Sequence, residues 1–282
     1  MFTLNCKGQL VKISHPVVMG IINVTPDSFY AGSRSDEKNL LYRAEQMINE
    51  GAFILDLGGQ STRPGSEQIN ADEECRRIIP AVEKIHQHFP NQLLSIDTFY
   101  SKVAREAISA GASIINDISA GTIDEQLLST VYDLNVPYVL THMLGKPQTM
   151  QHEPVYQNET LDVFDFLNKK LDTLTRMGIK DVIIDPGFGF GKTYNHNFEL
   201  LRHLQYFKKL DRPLMVGVSR KATIYKTLHI TAEEALNGST VLHTYALLNG
   251  ANVIRAHDVK EAIQAIKLVE RLKEEKSNYC CS

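Results

Sequence analysis

The chain has little with which to draw in a polyanion: Lys and Arg total 30 against 33 Asp and Glu in 282 residues, a formal net charge of −3. That balance excludes a protein that binds nucleic acid through a general basic field, so any phosphate recognition must be local. Long apolar runs are missing too. Met1 to Gln9 carries no basic segment leading into an apolar stretch, and Met19-Gly20-Ile21-Ile22 is broken by Asn23 and Thr25. Neither a signal peptide nor a membrane span is expected. Cysteine is scarce: Cys6, Cys75, Cys280 and Cys281 have neither zinc-type spacing nor the density of a disulfide scaffold. Reduced thiols and a cytoplasmic setting follow as the expectation. In that setting the glycosylation triplets at Asn23, Asn158 and Asn237 carry no meaning.

What is present is an ordinary globular composition, 43% hydrophobic and 22% charged, enough to build a sizeable core. Short apolar, β-branched runs recur at Val17–Ile22, Phe53–Leu57, Leu93–Ile96, Ser113–Ile115, Pro137–Leu140, Asp181–Ile184, Leu214–Val218 and Asn252–Ile254. Runs that are apolar throughout suit a parallel sheet covered on both faces. Helical patterns separate them. Leu40, Leu41, Ala44, Met47 and Ile48 form one apolar stripe, closed by Gly51; Ala262, Ile263, Ile266 and Val269 form another behind Asp258, the expected N-cap. Gly51, Gly111, Gly178 and Gly250 each stand between a helical pattern and the next strand, where a left-handed residue ends a helix. Eight βα units without a linker predict a single α/β domain over residues 1–282, a (β/α)8 TIM barrel, with its core at about 16–272 and a frayed tail at 273–282. An open, doubly wound sheet is the structural competitor, because periodicity cannot show closure.

In such a barrel the reactive residues lie at the C-terminal ends of the strands, where the loops converge. The runs here end in Asn23; Asp56; Asp97; Asn116 and Asp117; His142; Asp185; Ser219 with Arg220 and Lys221; and Arg255 with His257. Any one Asp or Asn after a strand is commonly a turn former or cap. Eight together, with Lys221, Arg255 and His257 among them, point to one polar mouth. Arg255 and His257 are two apart, so if the strand continues they face one side and can grip a polyanion. Asp185-Pro186-Gly187-Phe188-Gly189-Phe190-Gly191-Lys192 misses both nucleotide motifs: Gly187 and Gly191 enclose three residues where a P-loop needs four, and the dinucleotide fingerprint would need glycine at Lys192. A glycine turn with Phe188 or Phe190 as an aromatic face for a flat ligand is what survives. Pro26 stops the first strand beyond Asn23, whose amide oxygen is a weak but suitable ligand for Mg²⁺.

Asn23-Val24-Thr25-Pro26-Asp27-Ser28-Phe29, Gly58-Gly59-Gln60-Ser61-Thr62-Arg63-Pro64-Gly65, Asp97-Thr98, Asn116-Asp117, the Asp185 to Lys192 segment, Ser219-Arg220-Lys221 and Arg255-Ala256-His257-Asp258-Val259 resemble dihydropteroate synthases in type, order and spacing. The likeness covers about residues 16 to 260. It implies a transferase of folate biosynthesis that joins 6-hydroxymethyl-7,8-dihydropterin pyrophosphate to 4-aminobenzoate, gives 7,8-dihydropteroate and pyrophosphate, depends on Mg²⁺, works as a homodimer and is a target of sulfonamides. By the same resemblance Asp97, Asn116, Asp185, Lys221 and Arg255 hold the pterin. Asn23, Arg255 and His257 hold the pyrophosphate, with Asn23 on the metal. Thr62, Arg63, Pro64, Phe190, Ser219 and Lys221 surround the aminobenzoate, and Asp97, Lys221, Arg255 and His257 form the catalytic set.

An arylamine is a poor nucleophile, whereas a pterin-CH2 carbon shares positive charge with its ring as the leaving group departs, so dissociative substitution is expected. Two departures from the family's pattern stand out: Tyr30-Ala31-Gly32-Ser33-Arg34-Ser35-Asp36 in the first loop, and Phe99-Tyr100, which predicts a bulkier rim. Two rivals share the pterin pocket, a folate-to-corrinoid methyltransferase and a catalytically silent pterin-binding barrel. The first needs no Ser61-Thr62-Arg63-Pro64 loop or pyrophosphate grip, and the second needs no intact polar set.

Overall fold

The structure is a computed structural model, which describes residues 1–24, 34–60, 68–145 and 154–274, with the side chains of 34–37 left aside. Two elements precede the barrel, the antiparallel strands β1 (Phe2–Cys6) and β2 (Gln9–Ile13). The barrel then runs β3 (Val17–Asn23), α1 (Arg34–Glu50), β4 (Ile54–Gly58), α2 (Ala71–His88), β5 (Leu93–Asp97), α3 (Ser101–Ala110), β6 (Ile114–Asp117), α4 (Leu127–Leu134), β7 (Tyr138–Thr141) and α5 (Glu159–Met177). It continues with β8 (Val182–Asp185), α6 (Tyr194–Arg202), a 3-10 segment (Leu204–Leu210), β9 (Met215–Val216), α7 (Ala222–Leu228), α8 (Leu236–Leu248), β10 (Val253–Ala256) and α9 (Val259–Lys273).

The eight barrel strands pair only in parallel, in the order β8-β7-β6-β5-β4-β3-β10-β9. The two ends of that order meet: Ile184 bridges Leu214, and its N–H donates to the Pro213 carbonyl at 2.9 Å. Closure therefore decides for the barrel against the open sheet. The expected glycine helix ends are all present, with positive φ at Gly51, Gly111, Gly178 and Gly250. Asp258 stands at the N-terminus of α9, but its side chain makes no cap. Both of its oxygens instead accept from Arg220, each at 2.8 Å, because a bidentate guanidinium outcompetes a single backbone N–H for a carboxylate.

The expectation of a core starting near residue 16 is corrected by the N-terminal hairpin. Lys7 and Gly8 both have positive φ, as a two-residue hairpin turn requires. Asn5 secures that turn by accepting from the Gly8 N–H at 2.8 Å, and its own N–H donates to Asp181 at 3.0 Å, just before β8. Leu4, Cys6 and Ile13 then pack into one cluster with Met19, Ile54, Ile114, Val139, Ile183, Met215 and Val253, one residue from nearly every barrel strand. The hairpin is thus the floor of the barrel. A barrel interior open at one end would expose this layer to water, and the hairpin's alternation supplies the missing apolar face.

Removing part of the floor should be costly. Leu4→Ala is expected to destabilise the protein by roughly 2–5 kcal/mol, whereas Leu10→Ala, on the same hairpin but 71% exposed, should stay within about 0.5 kcal/mol. Urea unfolding of both variants checks this, and equal midpoints would show that the hairpin does not seal the barrel.

Candidate active site

Strand parity builds the site. Side chains two residues apart on a strand share a face, so the residues two positions beyond the apolar floor also point into the barrel. From Ile54, Ile114, Ile183 and Val253 that step leads to Asp56, Asn116, Asp185 and Arg255; from Leu93 two such steps lead through Ser95 to Asp97. The interior therefore has two tiers, apolar below and charged above. Asp117 has the opposite parity and points away from the mouth. Its carboxylate accepts from the Ser119 N–H at 2.6 Å and from the Gly121 N–H and the Tyr138 hydroxyl at 2.7 Å each, so it shapes the loop after β6.

Arg255 lies at the centre of the upper tier. Its Nε donates to Asp56 Oδ2 at 2.7 Å, and one terminal nitrogen contacts Asp56 at 2.6 Å and Asp97 at 2.7 Å. Asn116 Nδ2 donates to the same Asp56 oxygen at 3.0 Å. Asp56 is fully buried. Burial alone would lower the Arg255 pKa, but the Asp56 and Asp97 carboxylates more than offset it, so the guanidinium stays charged. Burial raises the pKa of Asp97, against the pull of Arg255, and raises that of Asp185, against Lys221 and the Gly187 N–H at 2.8 Å.

Lys221 stands at the start of α7 and reaches back over the mouth. Its Nζ donates to the Phe188 carbonyl and lies 4.6 Å from the centre of the Phe190 ring. Burial pushes its pKa down to about 8, opposed by Asp185 and Asp97. Of the two aromatic candidates, Phe188 is buried in the layer outside the barrel and Phe190 is the one at the mouth, packed with Phe99 and Ile118. The expected bulk at Phe99-Tyr100 is accommodated inward: Phe99 supports Phe190, and the Tyr100 hydroxyl donates to the Ile69 carbonyl at 2.8 Å.

Ser219 and His257 form a pair of their own. Ser219 Oγ accepts from the His257 N–H at 3.1 Å and lies 3.1 Å from Nδ1. Burial, then the Arg255 charge, lowers the His257 pKa to about 4, so the ring is neutral near pH 7. With the serine hydroxyl donating to Nδ1, the ring proton resides on Nε2. Asn23 is exposed at the end of β3, in register with Gly58 of β4, which is in turn in register with Asp97. Thr62, Arg63 and Pro64 lie outside the described residues, as do Tyr30 to Ser33 and the tail from 275.

Several contributors had no assigned role in the sequence. Asp56 was visible as a strand end, and its step of two from Ile54 is the signal that places it. Glu74 had none, since an acid in the first turn of a helix reads as a solvated dipole partner. It is buried, its Oε2 accepts from Gln60 Nε2 at 2.8 Å, and burial raises its pKa to about 8, so it carries a proton at neutral pH. Arg77 donates to the Gly59 carbonyl at 3.1 Å beside it. Together they fix the stem from which the segment holding Thr62 and Arg63 departs.

A closed barrel whose mouth gathers three acceptor side chains, a paired guanidinium and a lysine over an aromatic ring suits a polar, flat heterocycle, and the family described as "Pterin binding enzyme" matches residues 19–257. The fold and site thus define a pterin-binding barrel enzyme. Among characterised relatives, the dihydropteroate synthase of Escherichia coli K12 is 40% identical over 278 residues, 98% of each chain. The Yersinia pestis dihydropteroate synthase, solved with a sulfonamide drug complex, superposes with a TM-score of 0.90 at 37% identity, covering 96% of this chain and 99% of that one. The Xanthomonas albilineans enzyme, solved with 4-aminobenzoic acid, gives 0.89 at 37% identity over 97% and 98% of the two chains. In complex with 7,8-dihydropteroate it gives 0.85 at 34% identity, over 97% and 100%. This chain belongs to the dihydropteroate synthases, transferases of folate synthesis.

The Asp56 contacts generate a test. Asp56→Ala leaves Arg255 with one carboxylate and strips Asn116 of its acceptor, and breaking a buried pair from one side costs roughly 3–5 kcal/mol. Chemical denaturation should show that loss; a change under about 1 kcal/mol would mean that Arg255 does not depend on Asp56.

Proposed function

We propose that the chain joins 6-hydroxymethyl-7,8-dihydropterin pyrophosphate to 4-aminobenzoate, with Mg²⁺, and releases pyrophosphate and 7,8-dihydropteroate. The observation that carries this is the buried arc of Asp97, Asn116 and Asp185 around Arg255 and Lys221. A pterin edge alternates donors and acceptors, and carboxylates beside an amide match it. Among the described residues Asn116 Oδ1 is buried without a hydrogen-bond partner, an acceptor that a pterin N–H would satisfy.

As pyrophosphate departs, positive charge spreads over the pterin, and the Asp97 and Asp185 carboxylates below stabilise it in a site of low dielectric. Arg255 and the Nε2–H of His257 face the leaving group, with Arg255 positioned by the carboxylates beneath. Lys221, largely protonated at pH 7, orients the pterin and, with Phe190 and Ser219, one side of the aminobenzoate pocket. Thr62, Arg63 and Pro64 complete that pocket in our reading. No side chain is needed as a covalent nucleophile.

Among the described residues no group of three or more His, Cys, Asp or Glu side chains is arranged to hold a metal ion. A lone amide oxygen at Asn23 fits Mg²⁺, which commonly takes one or two protein ligands and fills its shell with water and phosphate. Bound there it would neutralise charge on the pyrophosphate.

We assign the exposed face of α8 to a second copy of the chain. Val241, Tyr245 and Leu248 are exposed on it, and Leu268 and Leu272 on the neighbouring α9. Paired apolar helices of this kind suit a twofold interface. Val241→Glu with Leu248→Glu should convert a dimer to a monomer in sedimentation equilibrium; a wild-type monomer would overturn the assignment.

Pyrophosphate release, measured with each substrate and Mg²⁺ omitted in turn, tests the reaction. Release should require both substrates and the metal, and Arg255→Ala should lower kcat/KM by about ten- to a hundred-fold, as loss of a charge-assisted contact costs roughly 1.5–3 kcal/mol. Arg105→Ala, which removes only an exposed pair with Asp133, should leave it near wild type. No release in the full mixture would favour a silent pterin-binding barrel.

A further inference from the structure

Lys192 is buried, at 2% exposure, as deeply as no other lysine or arginine among the described residues. No carboxylate forms a salt bridge with it there; Asp185 acts on it only at longer range. Its Nζ instead faces four hydrogen-bond partners: His142 Nδ1 at 2.8 Å, the Gly187 carbonyl at 2.9 Å, the Phe190 carbonyl at 3.0 Å and the His142 carbonyl at 3.3 Å. Burial, together with the Lys221 charge, lowers the Lys192 pKa well below the ordinary lysine range, against Asp185; carbonyl oxygens can only accept, so Nζ donates to those of Gly187 and Phe190. Burial, then the neighbouring Lys192, pushes the His142 pKa down to about 2, so that ring is neutral.

The carbonyls of Gly187 and Phe190 bound the glycine turn after β8. The turn runs hard against the exit of β7: a Cβ at Gly187, where φ is +75°, would lie 1.8 Å from the His142 carbonyl oxygen, and one at Gly191 2.3 Å from that of Leu144. Between the two clamped carbonyls lie Phe188, whose carbonyl accepts from Lys221 Nζ, and Phe190, whose ring lies below the same ammonium. Both loop contacts of Lys221 thus come from a turn pinned at its two ends by Lys192.

We propose that Lys192, with His142 as its partner, is a positioning residue that holds the 187–190 turn so that the Phe188 carbonyl and the Phe190 ring fix the Lys221 ammonium at the mouth. Lys192 touches no substrate in this role. The proposal rests on the functional reading above only for its kinetic readout; the placement of Lys221 is measurable without turnover.

The test uses Lys192→Met, which keeps the stem and removes the donors, in the full chain. The Lys221 ¹⁵Nζ shift, assigned with Lys221→Met, is followed against pH. Lys221 is faced by Asp185, Asp97 and Arg255, and Lys192 by His142, Asp185 and Lys221. In the wild type Lys221 should titrate near pH 8. Without the clamp it gains water, and burial is the main cause of its low value, so the midpoint should rise toward the ordinary lysine range, by about one unit. Alongside, kcat/KM should fall by roughly tenfold or more, and its alkaline limb should move to higher pH with the Lys221 midpoint.

Lys192→Gln keeps two donors for the Gly187 and Phe190 carbonyls and should return part of both effects. A folded Lys192→Met enzyme with an unmoved Lys221 midpoint, or activity within about twofold of wild type, overturns the proposal. So does failure of both variants to fold, which would make Lys192 a purely structural residue. A shifted midpoint in a protein whose wild type shows no turnover supports the positioning role while removing the proposed reaction.

Discussion

A positive charge inside a barrel has to be paired, and the pairing of Arg255 with Asp56 and Asp97 is the constraint on which the rest of the site depends. The three groups come from β10, β4 and β5, so the network ties the last strand of the chain to two early ones that lie close to it in the barrel wall. Asn116 from β6 is tied to the same Asp56 oxygen. The orientations of Asp56, Asp97 and Asn116 are therefore coupled through one network, and a shift in any of them is felt by the others.

That network needs dry surroundings below it and a shaped rim above it. The apolar floor meets the first need: Leu4, Cys6 and Ile13 close the bottom of the barrel directly beneath the charged tier. Excluding water there strengthens every interaction among the charges and raises the cost of leaving one unpaired. Lys192 serves the rim. It is a second buried basic group, whose pKa burial lowers well below the ordinary lysine range, and carbonyl dipoles and a neutral imidazole surround it in place of a carboxylate. The two groups illustrate two ways of burying a base, one by ion pairing where the site needs a fixed network, the other by a ring of hydrogen-bond partners where the backbone itself must be held.

Electrostatics at the mouth is accordingly a matter of balance. Asp56, Asp97 and Asp185 face Arg255 and Lys221, and His257 adds no charge near pH 7 because burial and Arg255 keep it neutral. Such a site favours a ligand that is neutral or becomes cationic in its ring while carrying an anionic tail toward the exposed ends of the strands. This is the charge distribution that the proposed reaction requires.

The amino-acid sequence by itself determined the eight strands, the alternating helices and the residues at the strand ends, because burial on both faces, helical periodicity and strand-end polarity are local patterns. The motifs from Asn23 to Val259 likewise carried the family resemblance. Tertiary structure alone decided the rest. Closure depends on Ile184 meeting Leu214, a contact no periodicity reports. The apolar face of the hairpin acquires its role only by packing against the barrel floor. Phe188 and Phe190 are equivalent in the glycine turn, yet one packs outside and the other at the mouth, since the turn's path is set by Lys192 and His142. Asp258 looked like a cap and became the partner of Arg220. In each case the deciding interaction joins residues distant along the chain, and only the folded backbone brings them within reach of one another.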